Sequence, residues 1–227
     1  MNWYVVNNDS YLMHHGIKGQ RWGVKNGPPY PLSSEKVAKK VYNDASRNIK
    51  QILSDVVQAA NRSGSKLYGL ENKQKTEQSI NRKLNKISHE EGLTFEDAAK
   101  QIRDAIRFTT LSSEKDYVDN YEQFKKSLEN KGYTETRCKN YFTMFKEGKV
   151  KHKSVQSTFK TKDGYEFEVQ FHTGLSQDAK NKKIPLYEEV RQEGISKKRV
   201  AEIEKQMYDL ALNVKDPLWI DEIKSHS

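Results

Sequence analysis

From Ser33 onward, apolar residues recur at three- and four-residue steps. Val41, Ala45, Ile49, Ile52, Leu53, Val56, Val57 and Ala60 draw the stripe of an amphipathic helix that stops before Gly64. A second helix is predicted over about 76–89, with Ile80, Leu84 and Ile87 on one side. Thr94 is placed to cap a third that runs through Phe95, Ala98, Ala99 and Ile102. Ala105 to Thr110 then reads as a strand, and Tyr117, Tyr121, Phe124 and Leu128 make a further helix that Gly132 ends.

The segment 133–173 is β-like, and its register follows from its apolar set. Tyr165, Phe167, Val169 and Phe171 alternate along one strand, and Val155 and Phe159 share a face of the strand before it. A two-residue Asp163-Gly164 turn would set Phe159 opposite Glu168 and mix the faces. A three-residue loop, Lys162-Asp163-Gly164, pairs Thr161 with Tyr165, Phe159 with Phe167 and Val155 with Phe171. It also puts Gly where such a loop needs a left-handed residue. A one-residue slip would turn a whole apolar set to solvent, so the three-residue loop is expected. Gln156, Thr158, Lys160, Glu166, Glu168, Gln170 and His172 then line the opposite face. Val200, Ile203, Met207, Leu210 and Val214 form a last helical stripe, either a short coiled-coil seam or the side that packs on the sheet. Two heptads are too few to favour the coiled coil.

Residues 1–32 have no period. MHHGIKGQRWGVKNGPPYP gathers Gly, Pro, aromatic and basic residues, the composition of a tail or linker. Three parts are therefore expected: a flexible recognition or targeting segment over 1–32, a folded domain over 33–215 and a C-terminal extension over 216–227. Within the first, Trp22 is the candidate anchor, with His14 and His15 beside it. The two histidines alone lack the Cys or carboxylate partner of a metal site.

The chain has 227 residues, which is one domain with extensions or two small ones. It carries 40 Lys+Arg against 31 Asp+Glu, a formal charge of +9, and 34 % hydrophobic residues. No run of about 18 apolar residues occurs, so a membrane span is excluded. The first twenty residues lack the pattern of a secretory signal, and a cytoplasm is the expected compartment. The one cysteine, Cys138, makes no internal disulfide and belongs to no CxxC pair.

The charge is concentrated. Between Arg137 and Lys162 stand eight basic residues (Arg137, Lys139, Lys146, Lys149, Lys151, Lys153, Lys160, Lys162) and one acid, Glu147. In a strand, Arg137 and Lys139 project to one face. Three readings are open: a solvated basic surface, a polyphosphate cleft in which a carboxylate binds Mg²⁺ or takes a proton, and a nucleic-acid surface.

Five segments taken together resemble the synthetase domain of the RelA/SpoT family, pyrophosphokinases that make guanosine alarmones. They are Lys73-Gln-Lys75-Thr-Glu-Gln-Ser79-Ile80, similar to R-x-K-x-x-x-S-I; Asp104-Ala-Ile-Arg107-Phe108, similar to D-x-x-G-x-R; Arg137-Cys-Lys139-Asn-Tyr141, similar to R-x-K-D-Y; His152-Lys153-Ser154-Val155-Gln156-Ser157, similar to Y-x-S-L-H-T; and Glu168-Val169-Gln170-Phe171-His172-Thr173, similar to E-x-Q-I-R-T. Their order and spacing match over roughly 35–215. The resemblance implies an α+β fold with a mixed, mainly antiparallel sheet of about five strands flanked by helices. It implies that Glu168 activates the acceptor's 3′-hydroxyl and contacts Mg²⁺, and that Asp104 is the main metal-binding carboxylate. Lys73, Lys75, Ser79 and Arg107 then fall on the donor ATP, and Arg137, Lys139 and Lys153 near the phosphates. His152 stands where the family stacks a Tyr on guanine, and Gln170 and His172 complete the nucleotide-binding set.

The departures bear on substrate. Asp104 lies three residues before Arg107 where the family usually has five, and the intervening Gly is absent. His152 has a smaller stacking face than Tyr, and His172 in place of Arg removes a bidentate phosphate donor. GDP or GTP, an adenine nucleotide and an RNA 3′ end remain open as acceptors. His14 to Val24 resembles a short peptide near the termini of structural and effector proteins of phages that infect Gram-positive bacteria. It implies a phage protein carried with the virion, a phage head component as partner, and toxicity to the host as the outcome of the chemistry. The alternatives are a catalytically inactive virion or host-interaction protein that keeps the fold, and a basic nucleic-acid binder.

Overall fold

The structure is a computed structural model that describes residues 32–192 and 194–227. The expectations placed on His14, His15 and Trp22 lie outside the described residues. The first helix, α1 (Ser34–Ser63), begins and ends where its local chemistry requires: the Ser33 side chain accepts from the Lys36 N–H, and Gly64 closes the helix at φ +76°. Its apolar stripe, from Val37 through Ile52 and Val56 to Ala60, is buried. It is followed by β1 (Lys66–Tyr68), α2 (Glu77–Glu91), α3 (Phe95–Ala99), β2 (Arg107–Ser112), α4 (Tyr117–Glu129), β3 (Thr134–Asn140), α5 (Tyr141–Lys146), β4 (Val155–Lys160), β5 (Glu166–Thr173), α6 (Gly174–Val190) and α7 (Lys197–Leu212). Among the described residues no helix is long and apolar enough to cross a membrane.

The fold is α+β, as expected, and the five strands form one sheet in the order β1-β2-β5-β4-β3. Only β2 and β5 run parallel; the other neighbours are antiparallel. One face of the sheet is apolar. Phe159, Phe167 and Phe171 pack against Phe124 and Tyr121 of α4, Tyr133 and Phe108, with ring centroids 5.0–6.4 Å apart in edge-on and tilted pairs, and Phe159 stacks on Phe167 at 5.9 Å. The β4–β5 register is the one its alternation demands. Val155 lies opposite Phe171 and Phe159 opposite Phe167, Thr161 N–H donates to the Tyr165 carbonyl at 2.8 Å, and Gly164 sits at φ +89°. A Cβ there meets a left-handed penalty of about 1–2 kcal/mol. Gly164→Ala should therefore lower the melting temperature by roughly 2–8 °C, measured by circular dichroism; no change would mean that the loop is not held in this conformation.

Several predicted boundaries shift. The strand expected from Ala105 begins at Arg107, because Ile106 makes only an isolated bridge to Gln74. α3 ends at Ala99, and Ile102 packs from the turn behind it. The β-like stretch 133–173 is interrupted by α5. There the Asn140 side chain accepts from the N–H groups of Phe142 and Thr143, and Phe142 and Phe145, three residues apart, are buried together. The helix α6 was not predicted at all. The positions it buries include Ser176, Gln177, Ala179 and Lys183, while Leu175, Ile184 and Tyr187 are exposed, so it has no apolar stripe to read. α7 buries Ile203, Met207 and Ala211 but packs chiefly on α6 rather than on the sheet.

Residues 216–227 pack into the same body. Ile220 and Ile223 are buried in the core beside Val214, and the Asn140 side-chain amide donates to the carbonyls of Ile220 (2.8 Å) and Ile223 (3.0 Å). Cys138 and His226 exchange a pair of backbone hydrogen bonds at 2.9 Å, which covers the outer edge of β3.

Candidate active site

The face of the sheet opposite the aromatic core carries the polar side chains, and α6 folds back over it. The parallel pairing sets Arg107 level with Glu168, Thr109 with Gln170 and Leu111 with His172. Along the other side of β2 the chain entering α2 adds a short rung: Arg107 N–H donates to the Lys73 carbonyl (2.8 Å) and Lys75 N–H to that of Ala105 (2.9 Å). These two pairings bring the K-x-K segment, Asp104, Arg107 and Glu168 to one place.

Asp104 forms ion pairs with Lys83 at 2.8 Å and Lys75 at 3.3 Å. Burial pushes its carboxyl up, but the two ammonium groups outweigh it and hold it below the ordinary range. Glu168 is shifted the other way. Burial, then the nearby Asp104 charge, raise it above the ordinary carboxylate range, opposed by the Gln170 amide, which donates to Glu168 Oε1 at 2.6 Å, and by Arg107 and Lys83. Two carboxylates thus share a site with their proton affinities driven apart, the signature of groups with different tasks. Behind them Lys180 of α6 donates to the other end of the Gln170 amide. Burial and the Arg107 charge bring its ammonium down to about 8.

Two clefts meet at Lys180. The larger, about 390 Å³, is lined by Lys75, Ser79, Arg107, Gln177 and Lys180. The smaller, about 240 Å³, lies under α6 and α7 and is lined by His152, Gln156, His172, Lys180 and Lys183. Arg137 and Lys139 project from the same face of β3, with the Lys139 ammonium pulled down by burial and by Arg137. Tyr141, next along, has its phenol pushed up by burial and by Glu168, and its ring lies 4.2 Å from that of His152. Burial, then Lys183 and Lys180, bring His152 down to about 4, so its ring is neutral at pH 7. His172 is also held neutral, by burial first; its Nδ1 meets Ser176 Oγ at 2.8 Å.

Of the sequence-predicted residues, Lys75, Ser79 and Arg107 line the larger cleft and His152 and His172 the smaller; Asp104 joins through Lys75, Glu168 through Arg107 and Gln170, Gln170 through Lys180, and Arg137 and Lys139 share the polar face of the sheet. Lys73 joins through its backbone, with its ammonium on the Leu70 carbonyl at 3.2 Å. Lys153 also lines the smaller cleft, but its ammonium is engaged: it pairs with Asp216 at 2.9 Å, donates to the Val214 carbonyl at 2.8 Å and lies over the Phe145 ring. The middle of the basic run is neutralised in the same manner, with Lys146 on Asp221 and Asp216, Lys149 on Glu147 and Lys151 on Glu204. Sequence reasoning missed Lys83, Lys180 and Lys183. Lys83 stands four residues after Ser79 on one helix face, and Lys180 four after Ser176. The capping pair Thr173 and Ser176, directly after a strand, was the local signal for the helix that carries it.

No protein-family model matches the chain, and no curated protein matches it. Solved structures do. A chain from the complex between the Type VI effector Tas1 and its immunity protein is 18 % identical, with a TM-score of 0.47, over 82 % of this chain and 100 % of that one. The small alarmone synthetase 1 from Bacillus subtilis, bound to its product pppGpp, is 13 % identical with a TM-score of 0.48, over 76 % and 88 % of the two chains. The small alarmone synthetase 2 from the same organism is 13 % identical, with a TM-score of 0.48, over 79 % and 93 %.

Proposed function

We propose that the chain moves the β,γ-pyrophosphoryl group of ATP onto the 3′-hydroxyl of a nucleotide acceptor, a guanine nucleotide first among the candidates. The carrying observation is the parallel β2–β5 pairing, which sets Arg107 beside a half-buried Glu168 that lies within the field of Asp104. Glu168 takes the hydroxyl proton as the acceptor oxygen attacks the β-phosphorus; the bond from that phosphorus to the α-phosphate oxygen breaks, and AMP leaves. Lys75, Ser79 and Arg107 in the larger cleft bind the donor, and the cations there and on β3 meet the charge of the group in transit. Asp104 and Glu168 are hard oxygen donors suited to Mg²⁺, which would neutralise charge on the phosphates when bound.

The order of the five sequence segments supports the same reading. A second reading, a fold-retaining module without chemistry, draws on Asp104, which Lys75 and Lys83 already neutralise. The peptide His14–Val24 supports association with a phage particle in either case. Thin-layer chromatography of γ-³²P-ATP incubated with Mg²⁺ and GDP, GTP, AMP, ADP, ATP or tRNA decides between the two. A labelled acceptor is expected, and its absence with all six would sink the enzyme reading.

The pH profile is a separate check. A base must be ionised to act, and the Glu168 carboxyl lies above the ordinary range. Transfer should therefore fall on the acid side with a midpoint above the usual Glu value of about 4.3. A rate that holds down to that value would exclude Glu168 as the base.

A further inference from the structure

We propose that α6 carries a phosphate clamp: Lys180 and Lys183, one helical turn apart, hold the 5′-phosphate of a free mononucleotide in the smaller cleft. The proposal deepens the reading above, since it rests on that reading for the ligand's role as acceptor and names its class and the residues that grip it.

Lys183 is 3 % exposed, and its hydrogen bond is to the backbone carbonyl of Lys151. Lys180 donates to the Gln170 side-chain carbonyl. Among the described residues neither has a carboxylate within ion-pair distance, although Lys146, Lys149, Lys151 and Lys153 in the adjoining loop all do. Buried charges are ordinarily paired, because removing an ammonium group from water without a counter-ion costs several kcal/mol. Here Lys183 is buried and Lys180 half-buried, and both line the smaller cleft. Burial lowers both to about 8, which leaves them charged at pH 7 and in want of an anion.

The same cleft holds other groups without partners. His172 Nε2 and Ser154 Oγ are buried and make no hydrogen bond among the described residues, and both residues line it. Ala179, Ala211, Val214 and the Tyr187 ring give the wall an apolar part beside the polar Gln156 and Ser176, and the third lysine of the lining, Lys153, is neutralised by Asp216. A ligand that satisfies all of this has an anionic end for α6 and a flat, polar-edged body for the rest. A nucleoside 5′-phosphate is such a molecule. Its monoester carries close to two negative charges at pH 7, matching two lysines, whereas the 5′-phosphate of an RNA's terminal nucleotide is a diester with one. The charge count therefore favours the free nucleotide.

The two lysines differ in reach, and the test uses the difference. Lys180 walls both clefts, and Lys183 only the smaller. Calorimetric binding to the full chain would be measured for GMP, GDP, AMP, ADP, guanosine, adenosine, a non-hydrolysable ATP analogue and a short RNA with a free 3′-hydroxyl. Lys183→Met should weaken the best-bound mononucleotide by roughly 10-fold or more, the worth of a charged hydrogen bond. It should leave the nucleoside and the ATP analogue unchanged, while Lys180→Met weakens mononucleotide and ATP analogue together. If Lys183→Met does not fold, the wild type remains decisive, because the mononucleotide should raise its melting temperature and the matching nucleoside should not. Mononucleotide binding that ignores Lys183→Met would overturn the clamp and leave the lysine as a tether for the loop at Lys151. Tighter binding of the RNA than of any mononucleotide, lost in Lys183→Met, would overturn the ligand class. Label transfer is followed in parallel: lysine-dependent binding without transfer supports the clamp and sinks the reaction, and transfer with lysine-independent binding does the opposite.

Discussion

Glu168→Gln should lose turnover by roughly 10²–10⁴-fold, the contribution of a positioned general base, while the variant melts no lower than the parent. The amide matches the carboxylate in shape and still offers an oxygen to the Gln170 amide donor, but it cannot accept a proton. The stability half follows from the direction of the shift. A carboxyl raised above its unfolded value contributes stability at low pH and loses it as the pH rises through the folded value. The charged form of Glu168 is therefore a burden that burial and Asp104 impose, and glutamine removes it. Initial rates on labelled ATP and a melting curve test both halves. Full activity would show that the proton goes elsewhere, and a collapsed melting temperature would show that Glu168 holds the sheet together.

Removing residues 216–227 should be nearly as severe, through stability instead of chemistry. The truncation uncovers the places of Ile220 and Ile223, each worth about 1.5–3 kcal/mol of burial. It also leaves the buried Asn140 amide without acceptors, at a cost of roughly 1–3 kcal/mol. Against a total stability of about 5–15 kcal/mol, such a loss leaves the chain unfolded or barely folded at 37 °C. Denaturant titration followed by circular dichroism measures it. A midpoint equal to that of the full chain would restore the view of these residues as an appendage.

That appendage reading marks where the sequence stops being informative. Helix α1 was legible at both ends because Ser33 and Gly64 act on their immediate neighbours, and the β4–β5 register was legible because alternation over a hairpin is also local. The tail was not, since its partners Asn140 and Cys138 lie far back in the chain and no pattern within 216–227 points to them. Charge was misleading for the same reason. Lys153 and Lys180 look alike in sequence, but Asp216 neutralises the first while the second faces a carbonyl in the cleft. Helix α6 escaped notice because its buried side is mostly polar: an apolar stripe announces itself, and a row such as Ser176, Gln177, Ala179 and Lys183 does not. Of the site, the residues in recognisable segments could be listed from sequence. Their opposite shifts could not, because those depend on the strand pairing that brings Asp104 and Glu168 together.

The parallel β2–β5 pairing also sets an order in time. Its partners, Arg107 to Ser112 and Glu168 to Thr173, are separated by α4, β3, α5 and β4, so β2 must wait for most of the domain before its neighbour exists. Pairings between strands so distant in sequence close slowly. A chain emerging from the ribosome from its N-terminus can build α1 to α4 early. Asp104 is then already present, but Glu168 and Lys180 are not, and the strand edge they complete stands open. An incomplete chain thus lacks Glu168 and the cations of α6, and under the proposed function a cell making this protein would meet the transfer reaction only after nearly the whole domain had been synthesised.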